Sequence, residues 1–162
     1  MKIKTRTIPV AGDVPHRAVT LADVPALAIL MDRAYTGTID HEGETLEQCQ
    51  DEMQGTLTGR YGPFLDFASF AVFEAGHALS ASLVTLYKEK PLLAFSMTAP
   101  EAQGKGYAGF LIERSITALA EHGHREFHLV VTDGNTPAER LYRKLGFITL
   151  GSALPGQAAP QN

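Results

Sequence analysis

The chain is expected to fold as a single mixed α+β domain, a mostly antiparallel central sheet flanked by helices on both sides. Three observations predict it. Residues 69–74, 79–87 and 92–98 are apolar strand-like runs joined by connections too short for anything but antiparallel hairpins. A glycine-rich turn at 103–108 then opens a long amphipathic helix that leads into a further apolar strand at 126–132, the pattern of a parallel pair joined by a right-handed crossover. Ahead of the meander, two segments of helical periodicity each begin with a capping signal.

Taken in order, Ile3 to Val10 reads as a strand, residues 12–15 as a turn and His16 to Val19 as a second extended piece. Thr20 with Asp23 three residues on starts a helix whose apolar face is Val24, Leu27, Ala28, Met31, Ala34 and Tyr35. Residues 36–44 form a polar loop. Thr45 and Gln48 start the next helix by the same device, with Leu46, Cys49, Met53 and Leu57 on its apolar side and a stop at Gly59 to Gly62. After the meander, Ala108, Leu111, Ile112, Ser115, Ile116 and Leu119 share one face of the crossover helix. Thr136 as N-cap, Pro137 at the first helical position and Glu139 start a short helix that ends at Gly146, and Phe147 to Leu150 can add a last strand. The domain is placed at 1–150, with 151–162, rich in Gly, Pro, Ala and Gln, as a loose tail.

Composition narrows the classes. A chain of 162 residues, 44% of them hydrophobic, is long enough to bury a core as one domain. A net charge of −4 argues against a nucleic-acid partner and suits a cationic small substrate. The one cysteine, Cys49, excludes an internal disulfide and is expected to be packing, and no apolar run reaches the roughly 18 residues a membrane span needs, so a cytoplasmic protein with no membrane partner is expected. The histidines at 77, 122, 124 and 128 lack metal-ligand spacing, and no metal is expected.

The turn Gln103, Gly104, Lys105, Gly106, Tyr107, Ala108 carries the chemistry. Backbone N–H groups of a glycine-rich loop, followed by those of a helix N-terminus with its partial positive charge, bind phosphate. Gly104, Gly106 and Gly109 also satisfy a dinucleotide fingerprint, with Asp133 about 24 residues beyond Gly109. Against an NAD site, Pro100, Glu101 and Ala102 intervene between the strand and its first glycine, and the antiparallel meander upstream is not a doubly wound sheet.

Gln103 to Ala108 resembles the Gln/Arg-x-x-Gly-x-Gly/Ala signature of the GNAT superfamily of acyl-CoA-dependent N-acyltransferases, and Asn135, Ala138, Leu141, Tyr142, Lys144, Gly146 and Phe147 resemble that family's second motif. Element order agrees over roughly residues 16–150; the end after Phe147 is shorter than the family's usual hairpin, so the final strand is either absent or supplied by a partner subunit.

The resemblance implies a GNAT-like fold in which the strands ending at Thr98 and Thr132 splay apart around the pantetheine arm of acetyl-CoA, the acyl donor. It implies that the backbone near Phe95, Met97 and Thr98 bonds the pantetheine amides and polarises the thioester. Gly104, Lys105, Gly106, Tyr107 and Ala108 would cradle the pyrophosphate, Gln103 standing where many relatives have arginine. Asn135, which is otherwise simply a turn residue, and Ala138 would meet pantetheine, and Tyr142 would protonate the departing thiolate.

Relatives often carry the base that deprotonates the amine on the strand matching 92–98, which here offers only Ser96 and Thr98. The acids Asp40 and Glu44, with Asp51 and Glu52 behind them, are the candidates for that role. The implied function is acetyl-CoA-dependent N-acetyl transfer to a primary amine by a monomer or homodimer. The alternative is a non-catalytic acyl-CoA sensor that kept the cleft without the base.

Overall fold

The computed structural model describes residues 1–10, 12 and 14–150. Among these residues six strands form one sheet: β1 (Lys2–Lys4), β2 (Arg17–Ala18), β3 (Phe70–Glu74), β4 (His77–Tyr87), β5 (Lys90–Thr98) and β6 (Glu126–Leu129). Their order across the sheet is β1-β6-β5-β4-β3-β2, and every pair is antiparallel except β5 with β6. Among the described residues four helices complete the fold: α1 (Val24–Tyr35), α2 (Leu46–Leu57), α3 (Tyr107–Glu121) and α4 (Thr136–Leu145). The mixed α+β architecture is the expected one.

The two meander hairpins close through two-residue turns, Ala75–Gly76 and Lys88–Glu89, with φ of 50°, 80°, 49° and 65°. Positive φ at both central residues gives the turn the twist that matches its flanking strands, even where no glycine relieves the strain. One face of the meander, with Ala81, Leu83, Phe95 and Met97, packs under Leu27, Leu30 and Met31 of α1 and Met53 of α2. The opposite face meets α3, where Ser115 Oγ lies 3.0 Å from Ser82 Oγ and donates to Ala68 O. Ile112, Ile116 and Leu119 of α3 close a second core with Leu93, Phe127, Tyr142 and Phe147. A central sheet strand buried on both faces explains why β4 is apolar or small and hydroxylic at nearly every position.

Both capping signals in the first half hold. Thr20 N–H donates to Asp23 Oδ2 at 2.8 Å, Asp23 is gripped by Arg17 at 2.8 Å through both oxygens, and Thr45 Oγ1 accepts from Gln48 N–H at 3.1 Å.

Three expectations need correction. The first strand is three residues rather than 3–10: beyond Lys4 the chain leaves β6 and crosses to α3, where Ile8 N–H donates to Thr117 Oγ1 and Ile8 O accepts from Arg114. The last strand does not form as an element. Ile148 makes a single bridge, exchanging backbone bonds of 2.9 and 3.0 Å with Lys2, because β1 of the same chain already occupies the edge beside β6. The N-cap of α4 is Asn135 and not Thr136, its side-chain oxygen accepting from Ala138 N–H at 3.3 Å. The tail at 151–162 lies outside the described residues.

Candidate active site

Two irregularities open the sheet at one place. The β4–β5 register shifts between Leu83, opposite Phe95, and Val84, opposite Leu93, so Ala94 is an extra residue in β5. A bulge bends its strand and increases local twist. Immediately beside it the parallel ladder to β6 ends, since only Leu92↔His128 and Leu93↔Leu129 pair, and β6 stops at Leu129 although the apolar run continues to Thr132. The two strands therefore diverge from Ala94 onward. Beside the opened edge of β5 lies a cleft of about 710 Å3, walled on its other sides by residues 34–40, the glycine loop and α4.

Which backbone groups face the cleft follows from the ladder. Ala99 N–H donates to Leu79 O at 2.8 Å. In an antiparallel pair the bonded residues alternate, so Phe95, Met97 and Ala99 turn their N–H and C=O toward β4, while those of Ser96 and Thr98 point to the opened side. The resemblance implies a free backbone near Phe95, Met97 and Thr98; Met97 lines the cleft, but Phe95 and Met97 spend their backbone on β4, and the outward backbone belongs to Thr98 and to Ser96, which in the sequence marks only the place of a missing acid. The Thr98 hydroxyl is held 2.9 Å from Ser80 Oγ, which leaves its backbone as the free part.

At the far end of β5 the chain makes one tight turn at Pro100–Ala102 and enters the glycine loop. Gly104 and Gly106 both have φ of +80°, and a Cβ at either position would meet nothing within 4 Å, so the left-handed backbone, rather than crowding, requires glycine there. Gly106 is the N-cap of α3, and the first helical bond runs from Phe110 N–H to Gly106 O. The N–H groups of Tyr107, Ala108 and Gly109 are thus unused by the helix. No acid lies in this first turn. Glu101 nearby is paired with Arg33 of α1 at 2.5 Å, which holds its carboxyl below the usual range.

Gln103, Gly104, Gly106, Tyr107, Ala108, Asn135, Ala138 and Tyr142 all line the cleft, as does Asp40; Lys105 and Glu44 do not. Tyr142 is 3% exposed and rests edge-on against Phe147, ring centroids 5.9 Å apart. Asp40 is the surprise. Its two carboxylate oxygens accept from Thr132 Oγ1 at 2.6 Å and from Asn135 Nδ2 at 3.2 Å, clasping the 36–44 loop to the end of β6 and the start of α4. Asn135 is therefore committed on both sides, as the α4 cap and as a donor to Asp40. Sequence offers no signal for this clasp, whose partners are 92 and 95 residues apart.

Glu44 instead accepts from Glu42 N–H at 2.9 Å, with His41 3.9 Å away. Asp51 and Glu52 are paired with Arg60 at 3.1 and 3.5 Å, and Glu52 also accepts from Tyr61, whose phenol is pushed up to about 12 by burial and then by that carboxylate. Cys49 is buried, and burial raises its thiol further. Among the described residues no three His, Cys, Asp or Glu side chains group as metal ligands, and no helix is long and apolar enough to cross a membrane.

Residues 74–153 match the family described as FR47-like protein, a GNAT-type domain that spans the bulged strand, the glycine loop and α4. The chain has the GNAT fold. Its architecture is similar to a ribosomal-protein-alanine N-acetyltransferase from Brucella melitensis (TM-score 0.68, 21% identity, 85% of this chain and 86% of that one). It is also similar to an aminoglycoside 6'-N-acetyltransferase from Acinetobacter haemolyticus (TM-score 0.65, 15% identity, 87% and 95%) and to a predicted acetyltransferase from Clostridium acetobutylicum solved with acetyl-CoA (TM-score 0.64, 16% identity, 86% and 93%). No curated protein matches the chain in sequence.

Proposed function

We propose that this GNAT-fold protein is an acetyl-CoA-dependent N-acetyltransferase that moves the acyl group to a primary amine by direct attack within a ternary complex. The observation that carries the reading is the opened β5–β6 pair, because it sets three groups along one cleft in the order a CoA thioester needs them. The N–H groups of the glycine loop and the start of α3 receive the pyrophosphate. The outward backbone of Ser96 and Thr98 receives the pantetheine amides, and one of these N–H groups polarises the thioester carbonyl as charge develops on its oxygen. Tyr142 stands on the α4 wall of the same cleft.

In the reaction the amine, having released its ammonium proton to solvent, attacks the carbonyl carbon through its neutral nitrogen, the C–S bond breaks, and the thiolate takes the Tyr142 hydroxyl proton. Thiol and phenol have ordinary pKa values near 8.5 and 10, close enough for that transfer to be useful. The phenolate regains a proton from the nitrogen as the amide forms. Asp40, clasped at the mouth, adds negative charge that favours a cationic amine approaching from the 34–40 side, where Ala34, Thr38 and Ile39 also line the cleft. Glu44, outside the cleft lining, is assigned at most a long-range electrostatic part.

The test is release of free thiol from acetyl-CoA across a panel of amines, polyamines, amino acids and peptides. Turnover with one acceptor class is the expected result. Saturable CoA binding with no turnover on any acceptor would instead identify an acyl-CoA sensor.

A further inference from the structure

The charge in the cleft is one-sided. Asp40 is the one charged side chain of the lining, and among the described residues no lysine, arginine or histidine contributes to it. Two cations come close along the chain without reaching it. Arg33, next to Ala34, holds Glu101 through both guanidinium nitrogens at 2.7 and 2.5 Å, and Lys105 lies outside the lining. Asp40 itself is met by neutral donors, the Thr132 hydroxyl and the Asn135 amide, so its charge is hydrogen-bonded but not cancelled. Two of the roughly four acceptor sites of a carboxylate remain for something else.

Beside it stands Ile39, 60% exposed and yet part of the cleft lining. An exposed isoleucine is ordinary on a surface, but this one is carried on a fixed turn. Thr38 N–H donates to Tyr35 O at 2.9 Å, His41 N–H donates to Thr38 O at 3.2 Å, and the clasp ties the next residue to Thr132 and Asn135. An apolar side chain and an uncancelled carboxylate are thus held on adjacent residues where the amine is proposed to enter.

We propose that the acceptor is a primary amine with an apolar stem and no carboxylate near its nitrogen, the ammonium drawn to Asp40 and the stem lying against Ile39 and Ala34. A carboxylate on the neighbouring carbon, as in a free α-amino acid, would be brought up to Asp40 with no cation to receive it, and such like-charge approach is strongly disfavoured. The N–H groups that can hold an anion belong to the glycine loop and the start of α3, where the pyrophosphate of the donor is proposed to sit. The site therefore selects by repulsion as well as by attraction. The inference rests on the transferase reading and on entry of the amine from the 34–40 side. A free alkyl- or aralkylamine offers this chemistry, and so does the N-terminal residue of a peptide, whose neighbouring carbonyl is an uncharged amide.

The experiment measures thiol release from acetyl-CoA with matched acceptors, rates being compared per neutral amine: phenethylamine, phenylalaninamide and phenylalanine, then isopentylamine and leucine, with ethylamine and spermidine as controls. The kcat/KM of phenethylamine and isopentylamine is expected to exceed that of the matching amino acid about a hundredfold, the effect of one unmatched like charge, and phenylalaninamide should side with phenethylamine. Ile39→Ser should lower kcat/KM for phenethylamine about fivefold relative to ethylamine, as for an apolar contact of modest area, with Tm unchanged at this exposed position. Asp40→Asn should narrow the preference for phenethylamine over phenylalanine about tenfold, a change of selectivity that loosening the clasp would not produce. A C-terminally amidated tripeptide beginning with phenylalanine separates the two sources: a kcat/KM above that of phenethylamine assigns the peptide end, and a lower one the free amine. The proposal is overturned if either amino acid matches its decarboxylated partner, if phenylalaninamide is rejected as strongly as phenylalanine, if spermidine is preferred to both apolar amines, or if Ile39→Ser keeps the wild-type preference for phenethylamine over ethylamine. CoA binding without thiol release from any acceptor is a separate failure, that of the transferase reading itself.

Discussion

The two halves of the cleft are built from different materials. On the side proposed for the donor, β5, the glycine loop and α3 present backbone: Ser96 and Thr98 along the strand, then the N–H groups of Tyr107, Ala108 and Gly109. On the side proposed for the acceptor, the end of α1 and the 36–44 loop present side chains, Tyr35 and Asp40 above all, the second held by partners from distant parts of the chain. Backbone sites tolerate most substitutions because the groups are common to all residues, and they fail where a special φ is required. Side-chain sites fail one residue at a time.

The largest effect should come where both halves converge. Tyr142→Phe is expected to lower kcat about a hundredfold, the lower end for a general acid, with CoA affinity unchanged in a direct binding measurement. Unaltered turnover would falsify the acid role.

Gly106→Val tests the backbone half. A β-branched residue forced to φ near +80° costs about 1–2 kcal/mol, and CoA affinity should weaken about tenfold by calorimetry while Gln103→Ala, with no special backbone, changes it far less. Equal losses in the two variants would mean that the Gln103 side chain, not the loop geometry, holds the anion.

Asp40→Asn tests the side-chain half. The new amide meets the Asn135 amide where a carboxylate oxygen was, so the clasp loses a charge-assisted bond of about 1.5 kcal/mol, and acceptor KM should rise about tenfold with CoA affinity nearly intact. A loss of CoA affinity as large as the change in acceptor KM would show that the clasp serves both substrates and that the halves are not separable. The smallest effect is expected for Glu44→Gln, less than about twofold in any kinetic constant, as for a surface charge. A larger drop in kcat would restore Glu44 as a candidate base.

The same division governs what is legible in the sequence. Gln103 to Ala108 is legible because a glycine pattern followed by an amphipathic helix reports a local backbone shape, and local shape is a property of contiguous residues. The capping pairs Thr20–Asp23 and Thr45–Gln48 are legible for the same reason. The N-cap of α4 shifts by one residue because Asn135 and Thr136 are both good caps, and only the Ala138 N–H geometry chooses between them. The edge beside β6 goes to the start of the chain and not to its end. Pairing of Lys2–Lys4 with Glu126–His128 is a contact across more than 120 residues that no local pattern announces.

Periodicity and residues adjacent along the chain thus suffice for the order of the elements and the glycine turn that opens α3, while Tyr142 is singled out by the family resemblance. Three other features emerge only in the folded molecule: β5 and β6 part at Ala94, Ser96 and Thr98 rather than Met97 turn their backbone into the gap, and Asp40 and Tyr35 face it. Ladder parity and clasps between distant segments depend on register and packing, and these are set only when the whole sheet is assembled.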